Sequence, residues 1–545
     1  MLSDIEIARN TKVVNIKKVA AKLGLRENQI ESLGNTVAKI DHEKIRSKKQ
    51  GKLILVTAIN PTASGEGKTT VSIGLADAIA KKYKKKTCLA LREPSLGPVF
   101  GIKGGATGGG YSQVVPMEEI NLHFTGDFHA ITSANNLLSA IIDNHIHQGN
   151  ALEIEEVYFQ RCLDVNDRAL KTIELANGRK DGFTITSASE VMAILALAKN
   201  LSDLKTRLGN ILVGKSRTGK LIFAKDLKAE EAMTILLKQA IKPNLVQTLE
   251  GTPAFVHAGP FANIAHGCNS VIATKTALSL ADFVVTEAGF GADLGAEKFL
   301  DLKCQTNDLE PSVVVIVATV RALKLHGGEQ KENLKNENLT ALKKGFANLE
   351  RHIKNIRSVY GLPVVVAINK FSTDSDQELH VLKGLVEKVG ELAVVTQGFE
   401  MGAEGAKELA GIVIQKCNEE SKISYAYELQ DDVEVKIQKV ATKIYGAKSV
   451  VFEERARLML ETLKKNKLDK LPIVIAKTQY SFSDNKDLVG APEDFVVTIR
   501  DLKICSGAGF VVAVAGNILL MPGLGKHSAF EGMSIDENGC VSGLY

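Results

Sequence analysis

The 545-residue chain is longer than one hydrophobic core usually supports, so about two to four domains are expected. Hydrophobic residues make up 45% and charged residues 24%, the composition of a globular enzyme, which excludes long disordered tracts. The net charge of +5 arises from 68 basic and 63 acidic residues with the signs interleaved, which argues against nucleic acid as a partner. No apolar run approaches the roughly 18 residues of a membrane span, and Met1 to Asn10 lacks the apolar core of a signal peptide. The seven cysteines are scattered without a C-x-x-C pair, as expected of reduced thiols in a cytoplasmic protein with no zinc site.

In chain order, the first fifty residues read as a polar, helical arm, with Val19, Ala20, Leu23 and Leu25 near helical spacing. The β-branched run Lys52 to Ile59 predicts a strand, and Val71, Leu75, Ala78 and Ile79 predict a helix after a glycine-rich turn. The lysines at 81, 82, 84, 85 and 86 fall at that helix's end, where cations suit the helix dipole. Apolar runs at Thr87 to Leu91, Phe283 to Thr286, Val313 to Ala318, Val364 to Ile368 and Leu392 to Val395 predict further strands. Continuous apolar strands alternating with helices predict an α/β class with a mainly parallel sheet covered by helices on both faces.

Gly327-Gly328 and the polar stretch after them suggest a boundary near 330, and composition changes again between Ile423 and Asp432. The expected division is a main nucleotide-binding domain over 1–330, an α/β domain over 331–425 and a small C-terminal α/β domain over 426–545. Leu471 to Ala476 and Gly509 to Ala515 are the predicted strands of the last.

Thr62-Ala63-Ser64-Gly65-Glu66-Gly67-Lys68-Thr69 follows a predicted strand and opens a predicted helix, the setting of an ATP phosphate-binding loop (P-loop). Gly65 and Gly67 admit close approach of backbone N–H groups to phosphate, Lys68 adds a full positive charge, and Thr69 is placed to ligate Mg²⁺. The loop begins with Thr62 where glycine is usual. Asn369-Lys370-Phe371-Ser372 lacks the aspartate of a guanine-reading N-K-x-D element, and Ala63 and Ser64 replace the extra lysine loop of partition ATPases. His145 and His147 are two apart on a predicted helix and point to different faces, and His266-Gly267-Cys268 reads as a tight turn rather than a nucleophile pair.

After the second strand come Leu91-Arg92-Glu93-Pro94-Ser95-Leu96-Gly97-Pro98 and a glycine-rich run over Gly101 to Tyr111. With His123 to Asp127, Gly259 to Ser270, Thr286 to Asp293, Ala318 to Gly328, Ala476 to Ser481 and Ser506 to Phe510, these motifs resemble the formate–tetrahydrofolate ligase family along essentially the whole chain. The resemblance implies ATP, formate and tetrahydrofolate as substrates, with the preference for polyglutamylated folate left open. It also implies Mg²⁺ and a monovalent cation (K⁺ or NH4⁺) as cofactors, two smaller domains beside the P-loop domain, and a homotetramer.

In that reading Lys68 and Arg92 are the catalytic candidates. Charge repulsion between formate and the γ-phosphate demands cations, and a guanidinium grips planar anions by two oxygens. Glu93 is a candidate monovalent-cation ligand and Asp127 a candidate for the folate or that cation. Phe371 matches an aromatic that contacts the pterin in the family, and Phe399 stands where a tryptophan is usual. The chain departs from the family pattern at Ala515-Gly516-Asn517 and Gly523-Leu524-Gly525-Lys526. The competing reading is a P-loop ATPase that works as a conformational switch.

Overall fold

The computed structural model describes residues 2–47, 49–101, 106–516 and 520–544. Ile102 to Gly105 of the glycine-rich run, and Asn517, lie outside the described residues.

A twelve-stranded sheet dominates the fold. Ten strands lie side by side in the order Ile30–Leu33, Val37–Ile40, Asn244–Thr248, Pro253–Val256, Thr87–Leu91, Phe283–Glu287, Lys52–Ala58, Pro311–Ala318, Val364–Asn369 and Leu392–Thr396. From Pro253–Val256 to Leu392–Thr396 every pairing is parallel. These strands are buried on both faces by helices such as Lys68–Lys81 and Val271–Leu280, which is why they read as unbroken apolar runs. Chain order reverses around Lys52–Ala58: one connection leads across Phe283–Glu287 to Thr87–Leu91, whereas Pro311–Ala318 adds on the other side. Such a switch opens a crevice at the strands' C-terminal ends.

The structure departs from the expected pattern at the sheet's other edge. Among the described residues up to 50, α-helix covers only Asp4–Asn10 and Ile16–Lys22, and an antiparallel hairpin follows, Ile30–Leu33 with Val37–Ile40, turning at Gly34 with φ +68°. Val37 to Ile40 are all buried, so tertiary burial selects a strand where the local sequence is too short and polar to signal one. Asn244–Thr248 and Pro253–Val256 form a second hairpin not foreseen in the sequence.

The segment expected as a second domain, 331–425, supplies Val364–Asn369 and Leu392–Thr396 to this same sheet. Residues 426–545 carry a separate four-stranded sheet, ordered Ser449–Phe452, Val496–Cys505, Phe510–Ala515 and Ile473–Ala476. One apolar cluster nevertheless joins Leu53 and Val366 to Ile475 and Val511. No helix among the described residues is long and apolar enough to cross a membrane.

Candidate functional site

The C-terminal ends of the parallel strands collect almost every motif singled out in the sequence. Lys52–Ala58 leads into residues 62–69, Thr87–Leu91 into Arg92 and Glu93, Phe283–Glu287 into Gly289, Val364–Asn369 into Phe371 and Leu392–Thr396 into Phe399.

Residues 62–69 form a braced loop. Gly65 and Gly67 have φ of +74° and +73°, a region costly for other residues, and Gly67 precedes the helix Lys68–Lys81. Glu66 folds its carboxylate inward. Oε1 accepts from the Thr62 N–H at 2.6 Å and the Thr62 hydroxyl at 2.8 Å, and Oε2 accepts from the Thr319 hydroxyl. The threonine that replaces the usual first glycine thus supplies two donors to a buried carboxylate. Asn369 donates from Nδ2 to the Glu66 carbonyl at 3.0 Å, so the segment that fails as a guanine reader instead braces the loop. A Cβ on Gly67 would lie 2.4 Å from that Nδ2.

Just before the loop, Asn60 is anchored from several elements. Its Nδ2 donates to Asp293 at 3.0 Å, its Oδ1 faces Asn348 Nδ2 at 2.9 Å and His352 Nε2 at 3.1 Å, and its carbonyl faces His326 Nε2 at 2.9 Å. Asp293 in turn is paired with Lys477 at 2.6 Å, both side chains fully buried. Asn60, Arg321 and Lys477 were not picked out individually as site residues, although Arg321 and Lys477 stand in recognised motifs.

Lys68 is partly buried, and burial pulls its pKa down, opposed by Glu287 and reinforced by the Arg92 charge. The Thr69 hydroxyl donates to Glu287 Oε2 at 2.9 Å. Glu287, at a neighbouring strand's end, also went unassigned; an acidic residue at such an end beside a phosphate loop was the available signal. A hydroxyl beside a carboxylate is a donor set that suits Mg²⁺.

Arg92 forms no ion pair with a carboxylate among the described residues. It donates from Nη1 to the Pro260 carbonyl at 3.2 Å, and its buried Nε has no partner. The absent side chain of Gly289 leaves it room, since a Cβ there would sit 3.1 Å and 3.2 Å from Nη1 and Nη2. Lys68 and Arg92 are near enough for the charge of one to act on the pKa of the other, and an anion between such cations would offset that repulsion.

Glu93 is buried and its Oε2 is unpartnered; burial first, then the Asp127 charge, pushes its pKa well above the usual carboxylate range. Asp127 itself is taken up by protein: Lys39 Nζ lies 2.8 Å and 3.0 Å from its two oxygens and Asn244 Nδ2 donates at 2.8 Å. Phe371 lies beside the loop 62–69, with the Arg321 guanidinium 3.9 Å over its ring. Phe399 is 40% exposed and packs on the glycine-rich segment. Its carbonyl accepts the Tyr111 N–H at 2.8 Å, and a Cβ on Gly109 would come within 3.0 Å of its ring. A cleft of about 320 Å³ opens next to it, lined by Tyr111, Glu250, Glu400 and Met401 among others.

His145 accepts the Leu152 N–H at 3.1 Å. His266 is buried with its pKa pulled down to about 3, while burial pushes the Cys268 thiol up to about 11, the opposite of an activated pair. Gly507 and Ala508 donate to buried Glu190 at 2.8 Å and 3.2 Å. The described residues contain no cluster of three or more side chains fit to hold a metal by themselves.

Fold and site together define an α/β protein with a glycine-containing loop and two cationic residues at the C-terminal edge of a mainly parallel sheet. The family model described as formate–tetrahydrofolate ligase matches residues 2–545. Proteins named formate–tetrahydrofolate ligase from Campylobacter concisus (strain 13826) and Campylobacter curvus (strain 525.92) are 57% and 55% identical to it, over 551 and 552 aligned residues. One of that name from Symbiobacterium thermophilum (strain DSM 24528 / JCM 14929 / IAM 14863 / T) is 54% identical over 557. Each alignment covers 100% of both chains. The chain belongs to the formate–tetrahydrofolate ligase family.

Proposed function

We propose that the chain ligates formate to tetrahydrofolate at the expense of ATP, giving 10-formyltetrahydrofolate, ADP and phosphate through formyl phosphate. The observation that carries the chemistry is the pair of cations, Lys68 and Arg92, held at the ends of two strands of one sheet without a carboxylate to neutralise Arg92.

In the first step a formate oxygen bonds to the γ-phosphorus as the bond to the β-phosphate oxygen breaks. Backbone N–H groups of residues 63–69 hold the phosphates, and Lys68 and Arg92 offset repulsion between the anions. Thr69 and Glu287 would hold Mg²⁺, which supplies further charge neutralisation on the phosphates. In the second step N10 of tetrahydrofolate attacks the formyl carbon, Arg92 stabilises the tetrahedral oxyanion, and the C–O bond to phosphate breaks as the N10 proton passes to the departing phosphate. Phe371 and Phe399 offer apolar faces to the pterin. The unpartnered oxygen of Glu93 suits a monovalent cation, with Asp127 setting the charge beside it rather than reaching folate.

We assign the phosphate loop and the whole large sheet to one main unit and residues 426–545 to a C-terminal unit with its own sheet. The resemblance supports a homotetramer, and the scattered unpaired cysteines support a cytoplasmic location.

The test is an assay that follows ADP and formyltetrahydrofolate while each substrate is omitted in turn. ADP should form only with formate and tetrahydrofolate both present, and Lys68→Ala should lower turnover on the order of hundred-fold or more. Steady ADP release from ATP alone, as fast as the full reaction, would favour the conformational-switch ATPase.

A further inference from the structure

Arg321 belongs to a motif, Ala318 to Gly328, to which the reaction assigns no role. Its Nη2 donates to the Gly65 carbonyl, its Nε stands 3.9 Å from Glu66 Oε2, and its guanidinium carbon lies 3.9 Å over the Phe371 ring. Because a trans peptide is planar, its C=O and the following N–H point in opposite directions. A donor that holds the Gly65 carbonyl therefore aims the Glu66 N–H the other way, and Asn369, on the Glu66 carbonyl, does the same for the Gly67 N–H. Asn369 is two residues from Phe371, whose own N–H is pinned to Asp374 at 2.8 Å. Loop donors and aromatic ring are thus joined through one flat side chain.

We propose that Arg321 is a positioning residue through which nucleotide on the phosphate loop orders the Phe371 ring, so that nucleotide and folate each bind more tightly in the other's presence. The inference rests on the assignments above of residues 62–69 to phosphate and of Phe371 to the pterin. Phosphates drawn to the loop N–H groups stiffen the peptide whose carbonyl Arg321 holds, and the stacked guanidinium passes that order to the ring. Linkage requires the effect to be reciprocal.

The test is calorimetric titration of tetrahydrofolate into the full-length protein, without nucleotide and with saturating ADP. The wild type should bind folate about tenfold more tightly with ADP, in the range usual for coupled sites. In Arg321→Gln and in Arg321→Lys, which keeps the charge but not the plane, the ratio should fall to about one. A merely structural arginine would lower the melting temperature or weaken both affinities and leave the ratio intact, and that result overturns the proposal. Phe371→Leu, which leaves the loop contacts in place, should abolish the ratio while ADP affinity alone stays at the wild-type value; a retained ratio there also overturns it. A wild type that binds folate with a ratio of one refutes the coupling only. A wild type that neither binds folate nor makes formyltetrahydrofolate refutes the ligase assignment itself.

Discussion

Lys477→Met tests whether the C-terminal unit supports the phosphate loop from behind. Lys477 has no exposed side-chain surface, and its ammonium lies 2.6 Å from Asp293 and 3.1 Å from the Thr478 carbonyl, with the Ser481 carbonyl as a third acceptor. Burial pulls its pKa down and the Asp293 charge pulls it back. Methionine keeps most of the volume, so the loss is mainly electrostatic: a buried carboxylate keeps only the Asn60 amide, and two carbonyls lose a donor. Removing one partner of such a pair costs about 3–5 kcal/mol, against about 0–1 kcal/mol for an exposed pair. Adding Asp293→Asn removes the stranded charge and retains an acceptor for Asn60, so the double variant should regain more than half of the loss. Urea unfolding followed by far-UV circular dichroism suits a chain with no tryptophan. Because Asn60 abuts the loop, the KM for ATP should rise in the single variant and partly recover in the double. A single variant within about 1 kcal/mol of wild type, or a double variant no more stable than the single, would refute the reasoning.

Asp77, buried in the helix after the phosphate loop and accepting from Thr248 at 2.6 Å, has its pKa pushed up by burial to about 7. Its folded value exceeds its unfolded value of 3.8, so its stabilisation is complete below pH 3.8 and is lost as pH rises through about 7. The loss is on the order of 4 kcal/mol. Asp77→Asn should therefore gain stability relative to wild type between pH 4 and 8 in thermal melts, and parallel curves would exclude the titration. Arg92→Lys, a point charge in place of a fork, should lower turnover by about a hundredfold with ADP affinity little changed; near-normal turnover makes Arg92 structural. Phe399→Ala should raise the KM for tetrahydrofolate by a stacking contribution of about 0.5–1.5 kcal/mol, and Phe399→Trp should lower it, each at constant KM for ATP. Equal folate constants in wild type and Phe399→Ala would remove Phe399 from the site.

The sequence alone determined the α/β class, the principal parallel strands and the loop at 62–69, because apolar runs, helical spacing and a Gly-x-Gly-Lys turn all express geometry within about 30 residues. The position of residues 62–69 between a strand and a helix was legible for the same reason. Only the tertiary structure decided which distant segment each polar motif residue meets. Asp127 reads as a ligand for folate or a cation, and no local pattern announces that Lys39, 88 positions away, meets its carboxylate. Glu66 reads as one residue of the ATP-binding loop, and only the fold shows Thr319, 253 positions away, closing its second oxygen. Residues 37–40 and 244–248 became strands because burial against a neighbour outweighs a weak local preference. A buried charge must find a partner wherever the fold brings one within about 3 Å, and no local pattern records which distant segment that will be.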